Sequence, residues 1–351
     1  MASDQPRRIF IFDNPRTCSH LFSKLFANHP DLQLLYHPFL PAALYGPERY
    51  QQKTKHCAAA DQVQREWGTS EEFREWNVVT YESANRKLVE EIEAAESQIY
   101  RYLRATFETN ATPPIPQNKS IFCSEHLNAL MKHDRMLSHL RSPTRNPDPT
   151  TPSPSHPEPI PKNPTHIPDS LLATLTPILL IRHPALTIPS SWRTESQIKN
   201  LQIDDEDFYL LTTYRWSRDL FTYLRHQSTS LGWRKPIVID AYDVVHRTGA
   251  LTGKLCGELG LDPAGAQERW RQLPREEWPD HSVVVAYTKD LLGSSGVERG
   301  KGKPLEENFD IEAETEKWKG EFGDEVGMKL RKCVEVEMAD YEYLRSFKME
   351  V

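Results

Sequence analysis

The sequence predicts an α/β fold of three layers, with a mainly parallel central sheet between helices. Three observations predict it. Short apolar runs at residues 9–12, 32–36, 120–123, 178–181 and 236–239 read as strands. Between them lie longer stretches whose apolar residues recur at helical spacing. Three of the runs exit into loops that carry charged and hydroxyl side chains, and open parallel sheets bind ligands at the C-terminal ends of their strands. The chain is read as a single domain over residues 1–351, with an insert at about 141–170.

Ile9, Phe10, Ile11 and Phe12 form a continuous apolar run that Asp13, Asn14 and Pro15 break. Leu21, Phe22, Leu25 and Phe26 then follow helical spacing. A strand, a tight loop and a helix in this order aim several backbone N–H groups at one place and make an anion site. Arg16 adds a fixed charge there, and Thr17 and Ser19 add hydroxyl donors. The same residues also suit an ordinary turn with a surface arginine. Residues 32–36 form the second strand, which leads into His37-Pro38-Phe39 and then Tyr45-Gly46-Pro47-Glu48-Arg49-Tyr50. This aromatic loop either lines a ligand pocket or is packed down by Tyr45 and Tyr50. Residues 51–77 read as two short helices. Residues 81–107, free of proline and glycine, read as one long scaffold helix with Leu88, Ile92, Ile99, Leu103 and Phe107 near one face.

The strand at 120–123 ends in Ser124-Glu125-His126, and a strand-end histidine is either a capping group or a working base. Residues 141–170 contain ten prolines in thirty positions, which predicts a mobile, extended surface insert or a weak docking segment for a partner. The strand at 178–181 exits through Arg182-His183-Pro184 into a helix disturbed by Pro189. Residues 204–225 read as one helix. The strand at 236–239 precedes a helix over 251–261, with Gly260 as its C-cap. Residues 283–287 suit a strand or a helix start. Arg299-Gly-Lys301-Gly-Lys303 is a basic run, and 311–347 is a helical tail with Gly323 and Gly327 as breaks and Cys333 on its apolar side.

Several of these stretches resemble the sulfotransferases that use 3'-phosphoadenosine-5'-phosphosulfate (PAPS). That family's first strand runs into a Pro-Arg-Ser/Thr-Gly-Ser/Thr-Ser/Thr loop that holds the 5'-phosphosulfate, and here it stands as Pro15-Arg16-Thr17-Cys18-Ser19-His20. Cys18 replaces the glycine, so either the loop is narrowed or its φ is negative; His20 replaces a small hydroxyl residue and either fills the phosphate seat or binds phosphate when protonated. Related fungal proteins carry a similar Glu-Pro-Phe … Tyr-Gly-Pro-Glu-Arg stretch, with His37 here in place of the glutamate. The family's Lys-x-His at the third strand becomes Ser124-Glu125-His126, which keeps the histidine and loses the lysine. Its Arg-x-Pro-x-x-x-x-x-Ser is matched by Arg182, Pro184 and Ser190. The resemblance implies a sulfotransferase/P-loop-like fold and PAPS as cofactor. It implies His126 as base, Arg16 and Ser19 beside the leaving phosphate, and Arg182 and Ser190 on the 3'-phosphate. Thr17, Cys18 and His20 complete the loop, and Arg299 and Lys301 stand for the family's closing Arg-Lys-Gly loop.

A net charge of −7 and the lack of a basic stripe with interleaved aromatics argue against nucleic acid as partner. Five scattered cysteines without a CxxC pair suit a reducing compartment, and with no apolar N-terminal segment or spanning stretch the expected setting is cytoplasmic, away from membrane. The 13 histidines form no metal-ligand spacing, so no metal is expected. No Walker, Rossmann or nucleophile-elbow motif occurs. Three readings remain. One is sulfuryl transfer to a hydroxyl of a small, partly apolar metabolite. Another is cofactor-free acid–base chemistry on such a metabolite through His126, His20 and Glu125. The third is a catalytically silent nucleotide-binding or scaffold protein.

Overall fold

The computed structural model describes residues 6–97, 119–141, 161–280, 282–299 and 309–351. Five parallel strands form one sheet: β1 (Arg8–Asp13), β2 (Leu32–Tyr36), β3 (Ser120–His126), β4 (Thr176–Ile181) and β5 (Ile237–Asp240), in the order β2-β3-β1-β4-β5. Side chains alternate across a strand, and both faces are covered. Ile9 and Ile11 enter a core with Phe22, Leu25, Leu255 and Leu259. Phe10 and Phe12 enter a second core with Leu88, Trp216, Leu220 and Tyr341. The α/β fold with a parallel central sheet is therefore as the sequence predicts, and its double-sided burial explains the unbroken apolar runs.

The differences have local causes. β3 continues past residue 123 to His126, so Glu125 and His126 lie within the strand, with His126 opposite Asp13. The long helix spans Tyr81–Glu96 with Ser97 as its C-cap, and residues 98–107 lie outside the described residues. The helix Pro184–Ile198 runs through Pro189, and residues 283–287 fall within the helix Ser282–Leu292. The tail breaks at Gly323, which has φ 90°, between helices Ile311–Phe322 and Asp324–Arg345. Gly327 does not break it. A Cβ there would lie 2.7 Å from the backbone nitrogen of Lys319, so the glycine lets the two helices close together.

Residues 161–170 are docked rather than extended away from the body. Lys132 N–H donates to Pro164 O at 2.8 Å, His166 N–H to Leu130 O at 2.8 Å, and Ile167 is fully buried. Arg141 ends the helix His133–Arg141, and residues 142–160 lie outside the described residues.

The single helix predicted over 204–225 is two, Glu206–Thr212 and Arg215–Leu231. The interruption is held by a distant carboxylate. Glu337 accepts from Tyr214 N–H at 2.6 Å and from Thr213 Oγ1 at 3.1 Å. Burial pushes the Glu337 carboxyl up to about 8, against the opposing effect of those donors. The folded chain then keeps a proton that the unfolded chain releases near the ordinary 4.5, so stability falls as pH rises from about 4.5 to about 8. Glu337→Gln removes that ionisation. Its thermal midpoint is expected to exceed the parent's at pH 8.5 and to lose that advantage at pH 5, measured by calorimetry at both values.

Candidate active site at the strand C-terminal ends

The first wall is the loop leaving β1. Arg16 and Cys18 both have left-handed backbone, with φ 69° and 67°. Thr17 is fully buried and donates from Oγ1 to Asn14 O at 2.8 Å, while Asn14 Nδ2 donates to Thr213 O at 3.0 Å. The loop is thus tied to the break between two helices. Of the alternatives for Cys18, the negative φ is excluded: this is a position that favours glycine and carries a side chain. Left-handed backbone costs an L-residue roughly 1–2 kcal/mol, and glycine's extra freedom when unfolded costs about 0.5–1 kcal/mol. Cys18→Gly is therefore expected to stabilise by about 0.5 kcal/mol in urea unfolding; a loss of more than that would show that the thiol has contacts worth keeping.

The second wall is β2 with β3. Glu125 is fully buried and its carboxylate is fully used. Oε2 accepts from Phe39 N–H at 2.6 Å and Leu40 N–H at 3.2 Å; Oε1 accepts from His126 N–H at 2.8 Å and faces His37 Nδ1 at 3.1 Å. Glu125 therefore anchors the start of the 37–50 loop. His37 itself has φ 48°. His126 Nδ1 bonds to Asp13 Oδ1 across the β1–β3 register. His126 keeps 15% of its side chain exposed and Asp13 none, so the imidazole is the group open to a reacting molecule. The His37 and His126 rings lie 4.3 Å apart and the His20 and His37 rings 5.4 Å apart. Burial, followed by the charges of His37, His126 and Arg16, pushes His20 down to about 3. Burial thus favours the neutral imidazole of His20, which suits filling the phosphate seat.

The third wall is β4. Arg182 leaves the strand end, and Ser190 follows on the helix Pro184–Ile198. Arg182 Nη1 donates to Arg16 O at 2.9 Å, and Arg16 Nε donates to Ser190 Oγ at 3.0 Å. Arg16 Nη1 also reaches Tyr287 O at 3.2 Å. The two motifs, distant in sequence, therefore meet between β1 and β4. There the chain leaves β1 toward β2 and leaves β4 toward β5, so a crevice opens. Among the described residues neither guanidinium has a carboxylate at ion-pair distance. Burial lowers the Arg16 pKa, and the charge of Arg182 adds to this. Two guanidiniums at one crevice with no carboxylate at ion-pair distance among the described residues form a seat for an anion.

No family model matches the chain. Among curated proteins it resembles the sulfotransferase ppzF of Metarhizium rileyi, with 33% identity over 247 residues, covering 66% of this chain and 71% of the relative. The chain belongs to the sulfotransferase family. The sulfotransferase ppzF of Metarhizium majus is 35% identical over 198 residues, which cover 53% of this chain and 56% of that relative.

Within this transferase family member the aromatic motif after β2 has a structural use. Glu48 Oε2 accepts from Tyr81 N–H at 2.7 Å and so caps the long helix; the Tyr45 ring stacks on Phe73 with centroids 4.2 Å apart. A Cβ on Gly46 would lie 2.0 Å from Val79 O, so the close approach requires glycine. Beside the motif, Tyr45, Tyr50, Trp67, Glu195, Lys199 and Asp207 are among the residues around a mainly apolar cavity of about 40 Å³. Arg299 pairs with Glu268 at the surface, and Lys301 lies outside the described residues. Among the described residues no cluster of His, Cys, Asp and Glu is arranged to hold a metal, and no helix is long and apolar enough to cross a membrane.

Sequence reasoning missed two functional candidates. Asp13 was readable only as a strand breaker, because its partner His126 is far along the chain. His37 was visible as a departure from a motif, but its bond to Glu125 was not.

Proposed function

We propose that this chain transfers a sulfuryl group from PAPS to the hydroxyl of a small, partly apolar molecule. The observation that carries this reading is the pair Arg16 and Arg182, converging with Ser190 at a strand-end crevice with no carboxylate at ion-pair distance among the described residues. A ligand with two phosphate groups fits such a donor set. Ser124 Oγ, buried without a hydrogen-bond partner, leaves polar capacity at the neighbouring strand end.

When bound, PAPS supplies the group transferred: a bond forms from the acceptor oxygen to sulfur, the bridging S–O bond breaks, and its electron pair leaves with the phosphate. The chain's residues divide the remaining work. Asp13 accepts the Nδ1 hydrogen of His126 and so leaves Nε2 free to take the acceptor's proton. Arg16 and the left-handed loop stabilise charge on the 5' side. Arg182 and Ser190 bind the 3'-phosphate, which distinguishes this nucleotide from adenosine 5'-phosphate.

The convergence of two histidine–carboxylate pairs, His126–Asp13 and His37–Glu125, favours a second reading, cofactor-free acid–base chemistry on a small metabolite. Calorimetric titration separates the two. Binding of 3'-phosphoadenosine-5'-phosphate (PAP) at least tenfold tighter than adenosine 5'-phosphate is expected. Absence of binding by either would overturn the PAPS reading and leave the acid–base one.

A further inference from the structure

β3 ends in Ser124, Glu125 and His126, so it brings no lysine or arginine to the reaction centre. Arg16 reaches the 5' side from the β1–β4 crevice, where it bonds Ser190 and the Tyr287 carbonyl and where Arg182 bonds the Arg16 carbonyl. Among the described residues, the remaining cation candidate over the β1–β3 strand ends is a histidine. His37 Nδ1 lies 3.1 Å from Glu125 Oε1, and a buried carboxylate already bound by three backbone N–H groups requires a donor there. Nε2 is the ring's other polar atom, in a ring centred 4.3 Å from that of His126. The backbone of His37 is held in a left-handed conformation, φ 48°, by its N–H bond to Ser124 O at 2.8 Å. Strain of that kind persists where surrounding structure fixes a functional side chain.

The groups facing His37 are Glu125 and His126 from β3, Asp13 from β1, and His20 from the helix Ser19–Leu25; Tyr36 precedes it on β2. Burial lowers the His37 pKa, but the Glu125 bond, the Glu125 charge and the Asp13 charge outweigh it, and the net shift is upward. His20 stays neutral, and Tyr36, pushed up to about 12 by burial, stays protonated. Two imidazolium rings 4.3 Å apart repel, so the site holds one such charge more readily than two.

We propose that protonated His37, held in place by Glu125, presents its ring's positive charge to the leaving 5'-phosphate oxygen, while His126–Asp13 takes the acceptor's proton. This rests on the PAPS reading. It assigns distinct roles to two neighbouring histidines, one as a fixed charge and one as a base.

The test uses PAP, whose terminal 5'-phosphate oxygen is the one released in the transfer. A cation facing that oxygen links binding to its own protonation. Between pH 7 and pH 9, where the phosphate is already ionised, wild-type affinity is expected to fall about tenfold as pH rises. His37→Asn keeps a donor for Glu125 and tolerates left-handed backbone. Its affinity is expected to be weaker at pH 7 and to change less than about twofold over the same range. His126→Asn is expected to keep the wild-type pH dependence, and Ser124→Lys added to His37→Asn is expected to restore affinity at both pH values. Wild-type binding without pH dependence, or His37→Asn binding with the wild-type dependence, would overturn the assignment. Wild-type protein that binds no PAP at either pH would instead overturn the functional reading, and this assignment with it.

Discussion

Replacing His126 with alanine is expected to lower kcat by about 100- to 10,000-fold, the usual worth of a positioned general base. PAP binding should change less than twofold, because His126 belongs to the acceptor side. Asp13→Asn tests the same assignment from the other partner. The fully buried Asp13 carboxylate touches His126 but is closed to a reacting molecule, so its effect must pass through the imidazole. Orienting carboxylates of this kind are worth up to about 10⁴-fold in rate. Asparagine can still accept from Nδ1–H, but it cannot stabilise the imidazolium that forms. The two single substitutions and the double should therefore be strongly non-additive, with the double no slower than His126→Ala alone by more than a few-fold. Single-turnover rates with PAPS and an accepted hydroxyl compound check this. Full activity in either single variant would remove the pair from the mechanism.

The fold was legible because its strands are buried on both faces. Ile9 and Phe10 point to opposite cores, so their run carries no polar alternation and no ambiguity about burial. The strand C-terminal ends were legible as places. Arg16, His126, Arg182 and Ser190 all stand there, and the structure adds the bond between Arg16 and Ser190. What stayed hidden depends on partners far apart in sequence. Glu125 reads as a strand-end candidate for acid–base chemistry until its oxygens are seen to hold the backbone at 39 and 40. Thr213 looks helical, with no proline or glycine near it, until Glu337 takes the N–H of Tyr214. The insert's composition describes a chain that cannot build its own core. It does not show that Thr165 and Ile167 fit into a core already present, against Met131 and its neighbours.

Arg182→Ala is expected to weaken PAP binding by about 10- to 100-fold, equivalent to roughly 1.5–3 kcal/mol for a lost charge-assisted hydrogen bond. Adenosine 5'-phosphate should lose little, so the preference for PAP collapses. Arg182→Lys should fall between, since it keeps the charge and loses the planar fork. Stability is what separates a ligand role from a structural one. An arginine conserving a buried salt bridge would take that energy with it when removed. Arg182 has no carboxylate partner among the described residues, and its charge acts against that of Arg16. Truncation gives up the bond to Arg16 O but relieves this repulsion, so the unfolding free energy should shift by no more than about 0.5 kcal/mol either way. A large drop in stability with unchanged PAP affinity would mean that the two guanidiniums hold the loop rather than an anion, and the acid–base reading of the histidines would then take precedence.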